Sequence, residues 1–241
     1  MTLFELTPTP VRIVPRTILR WLIVVIVAFT VASLFGQYMR FQHGFGGMWG
    51  FVPMFDMERE ANIPTLFNSH LLLAASLLLV IVARMGQLNA DRMTRRWWIL
   101  GAIFALMSVD EIVSLHEYLG QRVPDVDGFG GIFFYAWVIP ATIFVILVGL
   151  YYLPLVRQVD NPHRRRIILA GLIYIGSVIG VEFAESAVAS RTGDETMPYQ
   201  VLAALQESGE MLGAAVFIWA LLHLIASRSR ELRADAVITD Q

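Results

Sequence analysis

Pro64-Thr-Leu-Phe-Asn-Ser-His-Leu-Leu-Leu-Ala-Ala-Ser-Leu-Leu-Leu-Val-Ile-Val-Ala83 is a run of 20 residues without Asp, Glu, Lys or Arg. At 1.5 Å per residue, a helix of that length covers the roughly 30 Å hydrocarbon core of a bilayer. Five further segments read the same way. Six spans are therefore expected, at about 17–36, 64–85, 97–118, 131–154, 166–189 and 200–226. They take up more than half of the 241 residues, so the connections are short and no sizeable soluble domain is left. Composition agrees, with 56% apolar and 16% charged residues, against about a quarter charged in an ordinary soluble domain. The expected fold is one all-α, polytopic transmembrane helical bundle over 1–241, with a cytoplasmic tail at 228–241. The chain has no cysteine, which excludes disulfides, thiolate metal sites and Cys nucleophiles. A net charge of −2 points to membrane lipid rather than nucleic acid as the partner.

Orientation follows from the arginines, which supply all 18 positive side chains because the sequence contains no lysine. One side of the membrane collects Arg12, Arg16, Arg20, Arg84, Arg92, Arg95, Arg96, Arg157, Arg164, Arg165, Arg166, Arg228, Arg230 and Arg233. The other side has Arg40, Arg59, Arg122 and Arg191. Fourteen against four is a strong positive-inside asymmetry and predicts an inner-membrane, multi-pass protein with both termini in the cytoplasm. Arg12, Arg16 and Arg20 before an apolar stretch resemble a signal peptide. The length of the basic stretch, and the lack of a small-x-small site before Gln37, favour a retained anchor. In the outer connection at 37–63, Phe45-Gly-Gly-Met-Trp-Gly-Phe-Val-Pro-Met-Phe55 reads as an interfacial aromatic loop rather than a substrate lid. Asp56, Glu58 and Glu60 read as solvated residues that could line an entrance. Pro140 in the fourth span reads as a kink.

The informative residues are charges where lipid should be. Span three carries Asp110 and Glu111 and ends in His116-Glu117, span five carries Glu182 and Glu185, and span six carries Glu207 and Glu210. An acidic residue at a helix centre costs about 2.5–3.5 kcal/mol to insert, whereas Leu, Ile, Phe or Val returns about 0.3–0.6. For span three, roughly nine such residues return about 4 kcal/mol against about 6 for Asp110 and Glu111, so alone it inserts poorly. The acids must then be protonated, paired, metal-bound or facing a wet cavity. Counted along their helices, Asp110, Glu182, Glu207 and His70 all fall roughly 9–12 Å below the outer surface. Their faces agree. Asp110, Ser114 and Glu117 make one stripe, Glu182, Glu185 and Ser186 another, and Glu207 with Glu210 a third. Glu111 points away from Asp110. Gly176-Ser-Val-Ile-Gly180 and Gly209-Glu-Met-Leu-Gly213 have the GxxxG spacing that lets helices approach closely.

Three uses of such a layer are open. Carboxylates with one or two histidines suit a divalent metal (Fe, Mn, Zn or Ca), and the candidate ligands are Asp110, Glu117, Glu182, Glu207 and Glu210, with His70, His116, Glu111 and Glu185 behind them. The spacing departs from the Glu-x-x-His pattern of di-iron bundles, and no HExxH occurs. A metal-bearing site in the outer half could act on a lipid or periplasmic substrate. Alternatively, facing carboxylates share protons and mark a transport path, although spans three and five offer little polarity below Ser108 and Ser177. A third use is a non-catalytic scaffold held by a structural polar network.

Three stretches carry a resemblance: Asp56-Met-Glu-Arg-Glu-Ala-Asn-Ile-Pro-Thr65, Ser108-Val-Asp-Glu-Ile-Val-Ser-Leu-His-Glu117, and Glu207-Ser-Gly-Glu-Met-Leu-Gly213. They resemble a group of uncharacterised bacterial multi-span membrane proteins with DExxxxHE and ExxEMxG helices. The resemblance implies bacterial membrane placement and acidic motifs that belong together, and it carries no activity. The three histidines and serine of the alkaline-ceramidase-like hydrolases are not reproduced.

Overall fold

A computed structural model describes residues 13–115 and 130–239, with side chains through residue 230. Among the described residues there is helix and no strand. The order is α1 (Pro15–His43), the short α2 (Phe51–Phe55), α3 (Ile63–Leu88), α4 (Thr94–Val113), α5 (Val138–Gln158), α6 (Asn161–Ile175), a π-helical stretch (Gly176–Val181), α7 (Glu182–Thr192) and α8 (Met197–Thr239). Local chemistry sets the ends. The Asn62 side chain caps α3 by accepting from the Thr65 N–H at 3.0 Å, with Pro64 in the first turn, where a missing N–H costs nothing. Helix α1 stops where Gly44 turns left-handed (φ 70°) and gives its N–H to the Arg40 carbonyl.

Five helices are long and apolar enough to cross a membrane: α1, α3, α5, the continuous Asn161–Thr192 rod and α8. Helix α4 is 20 residues long but holds Arg95, Arg96, Asp110 and Glu111, and it is not among the five. Its helix also ends earlier than the expected 118. Ser114 takes a left-handed conformation (φ 55°), returns its N–H to the Asp110 carbonyl at 2.7 Å and donates its hydroxyl to Glu60. The expected Asp110–Ser114–Glu117 stripe is therefore broken at its middle member. Pro140 does not kink a span, because α5 begins at Val138 and places it in the first turn, where its fixed φ suits a helix start.

Helix α8 is the axis of the bundle, packing against α1, α3 and α6, while α3 pairs closely with α4. Leu72, Leu79, Trp97, Met211 and Leu221 are almost wholly buried along these seams. The α3–α4 seam is also hydrogen-bonded. Ser69 Oγ donates to the Ser108 carbonyl at 2.8 Å, Ser108 Oγ to the Ser69 carbonyl at 2.9 Å, and Ser76 Oγ to the Gly101 carbonyl at 2.8 Å. Small hydroxyl residues are the usual glue where no water competes. Only one of the two GxxxG spacings packs. A Cβ on Gly213 would lie 2.7 Å from the Tyr174 Cβ, and one on Gly209 would lie 2.8 Å from the Ser177 Cβ. Gly176 and Gly180 face open space and instead sit in the π-helical stretch.

Candidate functional site

A cavity of about 1440 Å³ opens between α4, α5, the α6–α7 rod and α8. Its upper wall collects Asp110 and Glu111 from α4, Glu182 and Glu185 from α7, and Glu207 and Glu210 from α8. Of the residues expected to share a layer, Asp110, Glu182 and Glu207 thus line one space. The π-helical stretch positions the α7 pair. It shifts the helical register just before Glu182, a device that recurs at functional sites because it re-aims side chains without ending the helix. Glu182 and Glu185 are buried, at 6% and 4% exposure.

Four of these carboxylates have a hydrogen-bonding neighbour. Gln206, with its amide nitrogen turned to the carboxylates, donates to Glu182 Oε2 at 3.3 Å and to Glu185 Oε1 at 3.1 Å. The Tyr174 hydroxyl hydrogen-bonds to Glu210. The buried Asn68 amide donates to Glu111 Oε1 at 3.0 Å, which explains why Glu111 points away from Asp110 on the helical wheel and still belongs to the site. Ser186 lies behind the cavity wall, fully buried, and accepts the Tyr135 N–H at 3.3 Å, pinning the segment before α5 onto α7.

His70 is not part of this arrangement. It is exposed on α3 and its Nδ1 bonds to the Leu66 carbonyl at 2.6 Å, off the cavity wall. His116 and Glu117 lie outside the described residues. Among the described residues, no group of three His, Asp or Glu side chains is spaced to hold a metal ion.

The segment before α3 departs from its expected solvated state. Asp56 is 2% exposed and pairs with Arg59 at 3.3 Å, while Glu58 and Glu60 join the cavity wall. Burial raises the Asp56 carboxyl above its ordinary range, with the Glu58 N–H and Arg59 partly offsetting it. Burial pushes Glu58 from 4.5 up to about 7, and the negative charges of Asp56, Glu182 and Asp194 add to the rise against a hydrogen bond from Tyr199. Tyr199 in turn accepts from the Tyr135 hydroxyl at 3.4 Å. Glu58, Tyr135, Tyr174, Tyr199 and Gln206 are the site members that periodicity overlooked. The tyrosines carry no charge to stand out in an apolar run, and Glu58 sits in a loop whose fold depends on the Asn62 cap.

The site is lopsided in charge and in polarity. Among the described lining residues, nine are acidic and one is basic, Arg59, whose guanidinium already faces Asp56. Toward the other end the lining turns apolar, through Leu100, Phe104, Val148, Ile167 and Phe217 to Trp97. Chemically this is a cation-attracting head on a greasy body.

The fold and cavity define an all-helical protein with helices of membrane-crossing length around a buried acidic chamber. The chain belongs to the family described as a domain of unknown function, DUF8692, whose model matches residues 19–225. No curated protein and no solved structure matches it.

Proposed function

We propose that this chain is a six-span membrane protein, α4 being the sixth span, in the inner membrane of a bacterium with both termini cytoplasmic, and that its function is to bind a cationic ligand in the outer half of the bilayer. One observation carries the reading: carboxylates from three helices and the loop before α3 line a single cavity whose described lining has one guanidinium. Buried like charges repel, and a bound cation relieves that repulsion. The Arg-rich loops at the opposite end support the orientation. A through-pathway for ions is less well supported, because the cavity becomes apolar below the carboxylates.

A divalent metal (Fe, Mn, Zn or Ca) is a second reading, favoured by the Glu182/Glu185 and Glu207/Glu210 pairs on neighbouring helices. Those four residues, with Asp110 and Glu111, are not spaced to hold an ion as they stand, so this reading requires them to draw together on binding, where the ion would supply Lewis-acid chemistry toward a lipid or periplasmic substrate.

Detergent-purified protein analysed for bound metal and titrated with Mn²⁺, Ca²⁺ and tetramethylammonium tests both. Binding of at least one of these cations should weaken tenfold or more in Glu182→Gln and Glu207→Gln while the melting temperature holds. Full retention in both variants, or no cation bound by the parent protein, overturns the reading.

A further inference from the structure

The cavity is far larger than a cation needs, and its shape bears on what carries the charge. Its lining starts at Tyr135 in the segment before α5 and follows α5 from Phe144 to Leu155, about 17 Å of helix and more than half the hydrocarbon depth. The head is acidic and ringed by Tyr135, Tyr174 and Tyr199, and the body is apolar. Carboxylates among aromatic faces are the chemistry that holds an ammonium group. At the foot, Tyr152 is 8% exposed and lines the same cavity with a hydroxyl that has no partner.

The chamber is also open at its side. Leu106 of α4 and Phe144 of α5 both line it, yet they are 69% and 66% exposed. Helix α5 packs chiefly on α6 and the π-helical stretch, whereas α4 packs on α3. The side between α4 and α5 is therefore where a molecule already dissolved in the bilayer would enter.

Resting on the cation-binding reading above, we infer that the cavity takes a membrane amphiphile with an ammonium headgroup, its head among the carboxylates and tyrosines and its chain along the wall from Leu100 to Tyr152, entering sideways between α4 and α5. Charge selects the head, and the apolar length selects the chain. An anionic amphiphile of equal length is refused, because nine carboxylates would face it.

Gly149 and Gly171 make this testable. Both line the apolar body, and a Cβ at either meets nothing within 4 Å, so a phenylalanine there fills the cavity rather than the protein. The full chain in neutral detergent is titrated with hexadecyltrimethylammonium, hexadecyl sulfate and tetramethylammonium, and bound probe is counted by native mass spectrometry. Hexadecyltrimethylammonium should bind about one per chain and at least tenfold tighter than the sulfate or the short ion. Gly171→Phe should weaken it at least tenfold and leave tetramethylammonium binding intact, with Gly149→Phe as the second plug should the first misfold. Equal binding of the two long-chain probes, or undiminished binding in a folded plug variant, overturns the inference. Tetramethylammonium still bound by the parent and lost in Glu182→Gln would then leave the cation site standing without the amphiphile.

Discussion

The two ends of the bundle handle charge in opposite ways. At the arginine end, one acidic side chain anchors the network. Asp91 Oδ1 accepts from the Met93 N–H at 2.8 Å and from Gln158 Nε2 at 2.9 Å, and its Oδ2 faces Arg228 at 3.3 Å. The surplus guanidiniums lie over rings, Arg84 on Trp98, Arg96 on Tyr151 and Arg166 on Trp219. Those contacts tie α3, α4, α5, α6 and α8 together. At the acidic end, Arg40 pairs with Glu195 and Arg59 with Asp56, while the carboxylates of α4, α7 and α8 turn inward to a cavity. Matched charges build a fold. Like charges gathered around a cavity are the feature on which the proposed cation binding rests.

That contrast can be broken first at Asp91. Asp91→Ala strands Arg228 and Gln158 and loosens the turn before α4, and it should cost about 2–3 kcal/mol, read as a drop of several degrees in the melting temperature in detergent. The matched experiment at the acidic end should go the other way. Glu182→Gln and Glu207→Gln keep the hydrogen-bonding shape and remove like charge, so stability should stay within about 1 kcal/mol of the parent or rise. A loss as large as that of Asp91→Ala would show that both ends are merely structural.

Acidity sharpens the comparison further. The folded protein holds the Glu58 proton up to about 7 against an ordinary 4.5. The stability this gives is fully present below about pH 4.5 and lost as pH rises through about 7. A melting curve of the parent should therefore fall across that window, by no more than about 3 kcal/mol, and Glu58→Gln should flatten it. The smallest effect is expected at Arg40–Glu195, where Glu195 is 68% exposed. Glu195→Gln should shift stability by less than about 1 kcal/mol, since water competes well for such a pair.

Much of this was legible before any coordinates. The helical class follows from 20-residue apolar runs, and the shared depth of Asp110, Glu182 and Glu207 follows from counting turns from the span ends. Other features were hidden for identifiable reasons. His70 has the composition of a ligand, but its rotation about α3 turns it outward, and a helical count of depth says nothing of rotation. Glu58 is two residues from a buried Asp56 in a loop whose path is set by the Asn62 cap and a tie from the Met57 N–H to Ser33 Oγ at 3.2 Å, a contact 24 residues distant. Ser114 ends α4 by a left-handed turn that ordinary propensity would not assign to serine.

By itself the sequence determined that this chain is helical, that its helices suit a membrane, and that its acids lie in oil where they need partners, because length, hydropathy and the 3.6-residue turn are local properties. Only the tertiary structure decided that those acids share one chamber with three tyrosines and a glutamine, and that the chamber runs on into an apolar gap beside α5. Which helix faces meet depends on side chains far apart in the chain, such as Gly213 against Tyr174, and no local pattern encodes that choice.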